Sequence, residues 1–199
     1  MRRGPLPHPL RKLGGTRPVW MTEWCARKKD ATPGMTDSAV EYGLALSDAF
    51  AGGVNVFMAY DWVYPPRDSG EGLIHVNWGN DYVLTKPYHL FRQWSEPLVP
   101  GMKAATAGWT GRLSAGVRAT AFVAADGGSV VVHVLNAHDK DAPVSLQLTG
   151  RWSPTAARTR TSVREDVAAL PPLTATAGRF TDVLPAKSLT TYRVEAAGK

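Results

Sequence analysis

Cysteine is almost absent. Cys25 stands alone, so an intrachain disulfide and a cysteine-based zinc site are both excluded. Long apolar runs are missing too, and no stretch reaches the roughly 20 residues that cross a bilayer. The opening MRRGPLPHPLRKLGG has charges and prolines but no apolar export core, so the chain as written is expected in the cytoplasm. Acidic residues are outnumbered, 17 Asp and Glu against 23 Lys and Arg, which gives a formal net charge of +6. The excess sits in a basic start (Arg2, Arg3, Arg11, Lys12, Arg17), in a smaller cluster at Arg27 to Lys29, and in scattered arginines. These residues are not interleaved with aromatics on one face, so they read as solvated surface and no nucleic-acid partner is expected. What remains is an ordinary globular composition, 44% hydrophobic and 20% charged over 199 residues, enough for one medium domain or two small ones.

The two halves follow different patterns. Val19 to Glu23 is a short apolar run suited to a buried strand, followed by a polar loop, Arg27 to Gly34. A helix is predicted to open at Ser38, which forms a capping box with Glu41. Its apolar face is broad, with Val40 and Leu44 on one stripe and Tyr42, Leu46, Ala49 and Phe50 on the next, so it should pack on a sheet. Gly52 and Gly53 end it. Val54 to Trp62 then reads as a second strand, with Val54, Val56, Met58, Tyr60 and Trp62 on one face. Strand, helix and strand in so short a span make a crossover unit, which requires parallel neighbours. A polar loop with Pro65, Pro66, Asp68, Gly70 and Gly72 follows, then an aromatic-bearing segment, Ile74 to Trp78, and a helix from Lys86 or Pro87 to Trp94.

Beyond Pro97 to Gly101 the grammar becomes all-β. Val117 to Val123 and Val130 to Asn136 flank Asp126-Gly127-Gly128, a hairpin connection. Val144, Leu146 and Leu148 alternate with polar residues, and Arg158 to Arg164, Arg179 to Leu184 and Ser188 to Val194 are further strands. An antiparallel β-sandwich of about a hundred residues is the natural reading.

The segment PVWMTEW, residues 18–24, places a carboxylate, Glu23, at the end of an apolar run between two tryptophans. In a parallel α/β sheet, functional side chains gather at the carboxyl ends of strands, where Glu23 and Trp62 both fall. A carboxylate beside aromatic platforms suits sugar chemistry: an indole stacks on a pyranose face, and the carboxylate attacks the anomeric carbon. On spacing alone the other readings stay open. Glu23 could cap a helix or pair with Arg27 or Lys28, and Trp20, Trp24 and Trp62 could be core.

PVWMTEW resembles the strand-seven signature of clan A glycoside hydrolases, and is most similar to glycoside hydrolase family 30, which contains glucosylceramidases, xylanases and galactanases. GGVNVFMAYDW resembles that family's strand eight, KPYHLFRQWSEPLVPG its last barrel helix running into a β-domain, and LPAKSLTTYRV its final strand. The resemblance covers the chain from Pro18 onward. It implies an O-glycosyl hydrolase acting on a β-linked glycan with retention of configuration, needing no metal or cofactor. The nucleophile falls on Glu23, preceded by Thr22, and the sugar-lining indole on Trp62; Tyr60 and Trp78 are further candidate contacts. The implied fold is the carboxyl-terminal part of a (β/α)8 barrel over residues 1–97, strands seven and eight with their helices, followed by an antiparallel β-sandwich over 98–199.

One departure matters. The family's acid/base glutamate follows an asparagine on strand four, and no Asn-Glu pair occurs here. A (β/α)8 barrel takes about 250 residues, so the chain is expected to be an incomplete portion, inactive alone, with a complementing amino-terminal barrel half as partner. The family is usually secreted, and an export signal would then precede the missing half. Two parallel strands alone would leave open edges and an uncovered apolar face. The alternative is a non-catalytic carbohydrate-binding or structural β-sandwich module.

The remaining candidates carry less. Of His75, His89, His133 and His138, only His138 lies near other metal-ligand types, Asp139 and Asp141, in what reads as a solvated turn. Arg67 could meet an acidic sugar substituent, though an exposed loop arginine is the more natural reading. Cys25 has no evident base partner, so a thiol nucleophile is not expected.

Overall fold

The computed structural model describes residues 14–26, 37–65, 72–77, 79, 81–108 and 116–198. Strand β1 (Trp20–Trp24) pairs in parallel with β2 (Val56–Ala59), and helix α1 (Asp37–Ala51) connects them, as the crossover pattern requires. β3 (Val63–Tyr64), β4 (Ile74–Asn77) and β5 (Asp81–Leu84) make a small three-stranded sheet ahead of helix α2 (Lys86–Ser95). Thr85 ties the two together: its hydroxyl donates to the Leu73 carbonyl at 2.7 Å and accepts from the Tyr88 amide as the helix N-cap.

The rest is β. Strands β6 (Lys103–Ala105), β7 (Val117–Val123), β8 (Ser129–Asn136), β10 (Trp152–Thr161), β11 (Ala168–Thr174) and β13 (Ser188–Ala196) form an antiparallel sheet in the order β11-β10-β13-β8-β7-β6. β9 (Ala142–Leu146) and β12 (Phe180–Leu184) pair as a second sheet. Pleating assigns alternate residues of β8 to opposite sides. Val130, Val132 and Val134 join Ala121, Phe180, Leu184, Tyr192 and Val194 in a core shared with the β9–β12 pair. Leu135, with Phe122 and Leu189 from the neighbouring strands, belongs instead to a core with Tyr42 and Leu46 of α1 and Leu90 and Trp94 of α2. Both faces of β8 are thus covered, and every one of its residues is buried.

The helices are two-sided as well. Toward β1 and β2 they meet Trp24, Phe57 and Ala59, and toward the large sheet they meet Phe122, Leu135 and Leu189. Gly43 is the point of closest approach: a Cβ there would stand 2.7 Å from a Leu135 methyl. Polar links cross the same joint. Gln93, buried on α2, donates through Nε2 to the carbonyls of Leu189 (3.0 Å) and Thr159 (3.2 Å) and to Thr191 Oγ1 (2.9 Å). Lys86 pairs with Asp166, Arg118 with Asp48, and Lys187 with Asp37.

Some sequence expectations shift. α1 opens at Asp37, so Ser38 is a buried residue within its first turn and the helix start lies one residue earlier than the capping box suggests. The expected strand Val54 to Trp62 is regular only over Val56–Ala59, where Phe57 and Ala59 face the helices and Val56 and Met58 share the other side. β11, outside the expected strands, carries Pro171 and Pro172; it is an edge strand bonded only to β10, where a missing amide is tolerated. The loop 27–34, Arg67 and Trp78 lie outside the described residues.

Two stability outcomes follow from the joint. Gly43→Val would push a branched side chain into Leu135 and lower stability by about 1–3 kcal/mol, read by urea denaturation. Burial lowers the His133 imidazole from 6.5 to about 3, so the folded chain keeps it neutral between those values while the unfolded chain takes up a proton. Stability therefore falls as pH drops from about 6.5 toward 3, by at most about 1.4 kcal/mol per pH unit from this group, and is unaffected by it at higher pH. Denaturation at pH 7 and pH 4.5 should show a smaller acid loss in His133→Phe.

Candidate functional site

Glu23 lies at the carboxyl end of β1. The register there is irregular: Met21 pairs with Phe57 and Trp24 with Ala59, leaving Thr22 and Glu23 together opposite Met58. This is a β-bulge, a device that re-aims a side chain. Trp24 anchors it from behind, its ring edge-on to Tyr42 at 4.6 Å and near Phe57 at 5.9 Å. The Tyr60 amide donates to the Trp24 carbonyl at 2.8 Å, extending the parallel pairing past the end of β2. With Trp24 and Ala59 turned to the helices, Glu23, Met58 and Tyr60 belong to the opposite face by alternation. That face is open: Trp20 is 55% exposed, Met58 42% and Tyr60 43%. Glu23 is exposed, and among the described residues it has no hydrogen bond or ion pair.

Trp62 is also exposed, just beyond β2, at the same end of the strands as Glu23. Its ring is edge-on to Phe91 of α2 at 5.9 Å, so it leans over the strand ends toward the helix. Among the described residues no ring contact joins it to Tyr60. A shallow hollow lined by Gly15, Thr16, Arg17, Pro18, Gly53 and Asn55 lies at the amino ends of the strands, the far end from Glu23.

The histidines are accounted for separately. His133 Nδ1 bonds Thr191 Oγ1 at 2.9 Å beneath the Trp94 ring. His89 lies 3.9 Å from Asp166, and burial lowers its pKa. His138 Nε2 accepts from the Gly116 amide at 3.1 Å, while Asp139 pairs with Lys187 and Asp141 accepts from the Ala186 amide. Among the described residues no three His, Cys, Asp or Glu gather as for a metal ion. No helix there is long and apolar enough to cross a membrane.

The densest charge cluster was not foreseen from the sequence. Between the sheets of the sandwich, Asp182 accepts from Tyr192 Oη (2.8 Å) and from Arg158 (2.8 Å), with Arg160 at 3.6 Å. Burial raises the Asp182 carboxyl, but these hydrogen bonds outweigh it and hold the group below its ordinary 3.8. Tyr192 is pushed up by burial and by the same carboxylate. The signal available was Asp182 on an alternating strand, FTDVL, facing the arginines of TAARTRT, but strand pairing alone does not reveal which two strands meet.

Comparison with known proteins assigns the β part. Residues 108–192 match the model of the glycosyl hydrolase family 30 beta sandwich domain. The β-domain is thus similar to the family 30 sandwich domain. Solved structures extend the likeness to nearly the whole chain. A GH30 endoxylanase from Clostridium papyrosolvens is 20% identical with a TM-score of 0.76, over 95% of this chain and 45% of that one. A family 30 subfamily 8 xylanase from Clostridium acetobutylicum is 20% identical with a TM-score of 0.73, over 94% and 44%. A conserved exported protein from Bacteroides fragilis is 17% identical with a TM-score of 0.70, over 90% and 39%. At such identities the likeness is one of fold. The chain spans less than half the length of each. No curated protein matches the sequence. The resemblance to family 30 therefore holds, and the four motifs that carried it fall on β1, β2, α2 and β13 of a structure shaped like family 30 xylanases.

The sandwich carries a pH-dependent lock. Because the folded Asp182 pKa is lowered, its stabilisation is present above the unfolded value and is lost as pH falls through the folded one. Asp182→Asn should cost most stability near neutral pH, with the gap to the parent narrowing below about pH 4; denaturant titrations across pH 2–7 check it.

Proposed function

We propose that this chain is the nucleophile-bearing part of a retaining glycoside hydrolase acting on a β-linked glycan. The observation that carries the reading is Glu23 itself: a carboxylate on a bulge at a strand end, exposed and unpaired among the described residues, on a face with Tyr60, Met58 and Trp20. The family 30 sandwich and the xylanase-like fold support it. In this reading residues 1–97 are the last two strands and helices of a (β/α)8 barrel, and 98–199 the sandwich. Glu23 attacks the anomeric carbon and expels the leaving oxygen, giving a glycosyl ester that water then hydrolyses. A second carboxyl group, roughly 5–5.5 Å away, must protonate that oxygen and activate the water. The sequence has no Asn-Glu pair to supply it in the family's manner. A complementing barrel half is the source we assign, and the open face of β1 and β2 is where it would join. Trp62, Tyr60 and Trp78 are the sugar contacts in this reading. A polymeric substrate places the activity outside the cell, in keeping with the exported neighbour.

For the sandwich, a structural role is favoured over a binding one. The face of its large sheet that would be free in a separate module is occupied by α1 and α2.

The isolated chain should show no turnover of aryl glycosides, xylan or galactan; a rate that Glu23→Gln abolishes would refute the incompleteness. Co-expressed with an upstream barrel half, it should form a soluble active complex. There Glu23→Gln should lower turnover by roughly 10³-fold or more. In Glu23→Ala, added azide should restore reaction and give a glycosyl azide of inverted configuration, the mark of a missing nucleophile.

A further inference from the structure

Five buried polar atoms at the joint between the helices and the large sheet have no hydrogen-bond partner among the described residues: Ser47 Oγ of α1, Gln93 Oε1 and Trp94 Nε1 of α2, Thr120 Oγ1 of β7 and His133 Nε2 of β8. Each of these residues is no more than 5% exposed. Thr120, His133, Trp94 and Gln93 group along one row of the large sheet. Thr120 and His133 are direct cross-strand partners. Trp94 lies flat on His133, ring centroids 4.3 Å apart and planes 20° from parallel. α1 crosses the same strands: Gly43 abuts Leu135, Asp48 pairs with Arg118, and Phe50 meets Phe122 edge-on at 5.5 Å. Ser47 lies between those anchors, and the Thr120–His133 pair lies between their partners on the sheet.

Leaving a buried hydroxyl or ring nitrogen unpaired costs about 1–3 kcal/mol, and folded proteins seldom leave several together. Their own neighbours do not supply the bond. His133 has spent Nδ1 on Thr191 Oγ1, which Gln93 Nε2 also donates to. A small molecule that both donates and accepts fits the set, and it would serve His133 Nε2 in either tautomer.

We propose that ordered internal water occupies this joint, held by Thr120 Oγ1, His133 Nε2 and Ser47 Oγ. It bridges β7, β8 and α1, and so sets the register of the helix on the sheet through hydrogen bonds that apolar packing cannot direct. The site does not depend on the glycosidase reading.

The test uses the full 199-residue chain. Water-selective NMR should give long-lived water cross-peaks at the Thr120 and His133 side chains, lost in Thr120→Val. Thr120→Val and Ser47→Ala should each lower Tm by about 2–4 °C. The double variant should lose less than the sum, because either change already releases the shared water. Absence of the cross-peaks in the parent chain, an unchanged or raised Tm in Thr120→Val, or strictly additive losses would each overturn the proposal. The cross-peaks keep the test decisive should either variant fail to fold.

Discussion

The structure depends on two helices that each have two buried sides. α1 and α2 lie between the parallel pair β1–β2 and the six-stranded sheet, and one apolar core runs through both contacts. Burying a large apolar side chain stabilises by about 1.5–3 kcal/mol, so Tyr42, Leu46, Leu90 and Trp94 together bind the halves more firmly than their separate ion pairs do. The consequence reaches the candidate site. The bulge at Thr22 and Glu23 is held from behind by Trp24 on Tyr42, and Tyr42 rests in the core that Leu135 and Leu189 complete. A side chain at the end of β1 is therefore positioned, at one remove, by the sandwich.

Polar groups make that joint specific. Apolar surfaces slide at little cost; Gln93 cannot, because its amide is committed to Leu189, Thr159 and Thr191 at once. Lys86–Asp166, Arg118–Asp48 and Lys187–Asp37 pin the same interface from its edges. These pairs are partly exposed, so each adds little energy, but their geometry excludes alternative packings. Inside the sandwich, Asp182 with Arg158, Arg160 and Tyr192 plays the corresponding part between the two sheets.

The opposite face of β1 and β2 contrasts with this closure. Trp20, Met58 and Tyr60 stand open, and a strand pair with one bare apolar face is unusual in a finished fold. The structural neighbours more than double the length of this chain. A second body of protein against β1 and β2, as the proposed function has it, would cover that face.

Much of this was legible in the residues. The alternation of VRATAFV and SVVVHVLN about Asp126-Gly127-Gly128 specifies a hairpin from local pattern alone, and the period of α1 and the stop after α2 are equally local. The Glu between tryptophans marked the candidate site, and four ordered motifs marked the family resemblance. What local pattern could not carry was partnership at a distance. It did not show that Phe57 and Ala59 turn to the helices, because alternation says which residues share a face and not which face is covered. It did not show β11, whose prolines are acceptable only because the strand is at an edge. Nor did it show that His133 meets Trp94 or Asp182 meets Arg158, since those pairs depend on which strands lie side by side. Sequence determined the elements and singled out Glu23; tertiary structure alone decided which faces are buried, because burial belongs to pairs of surfaces and not to single segments.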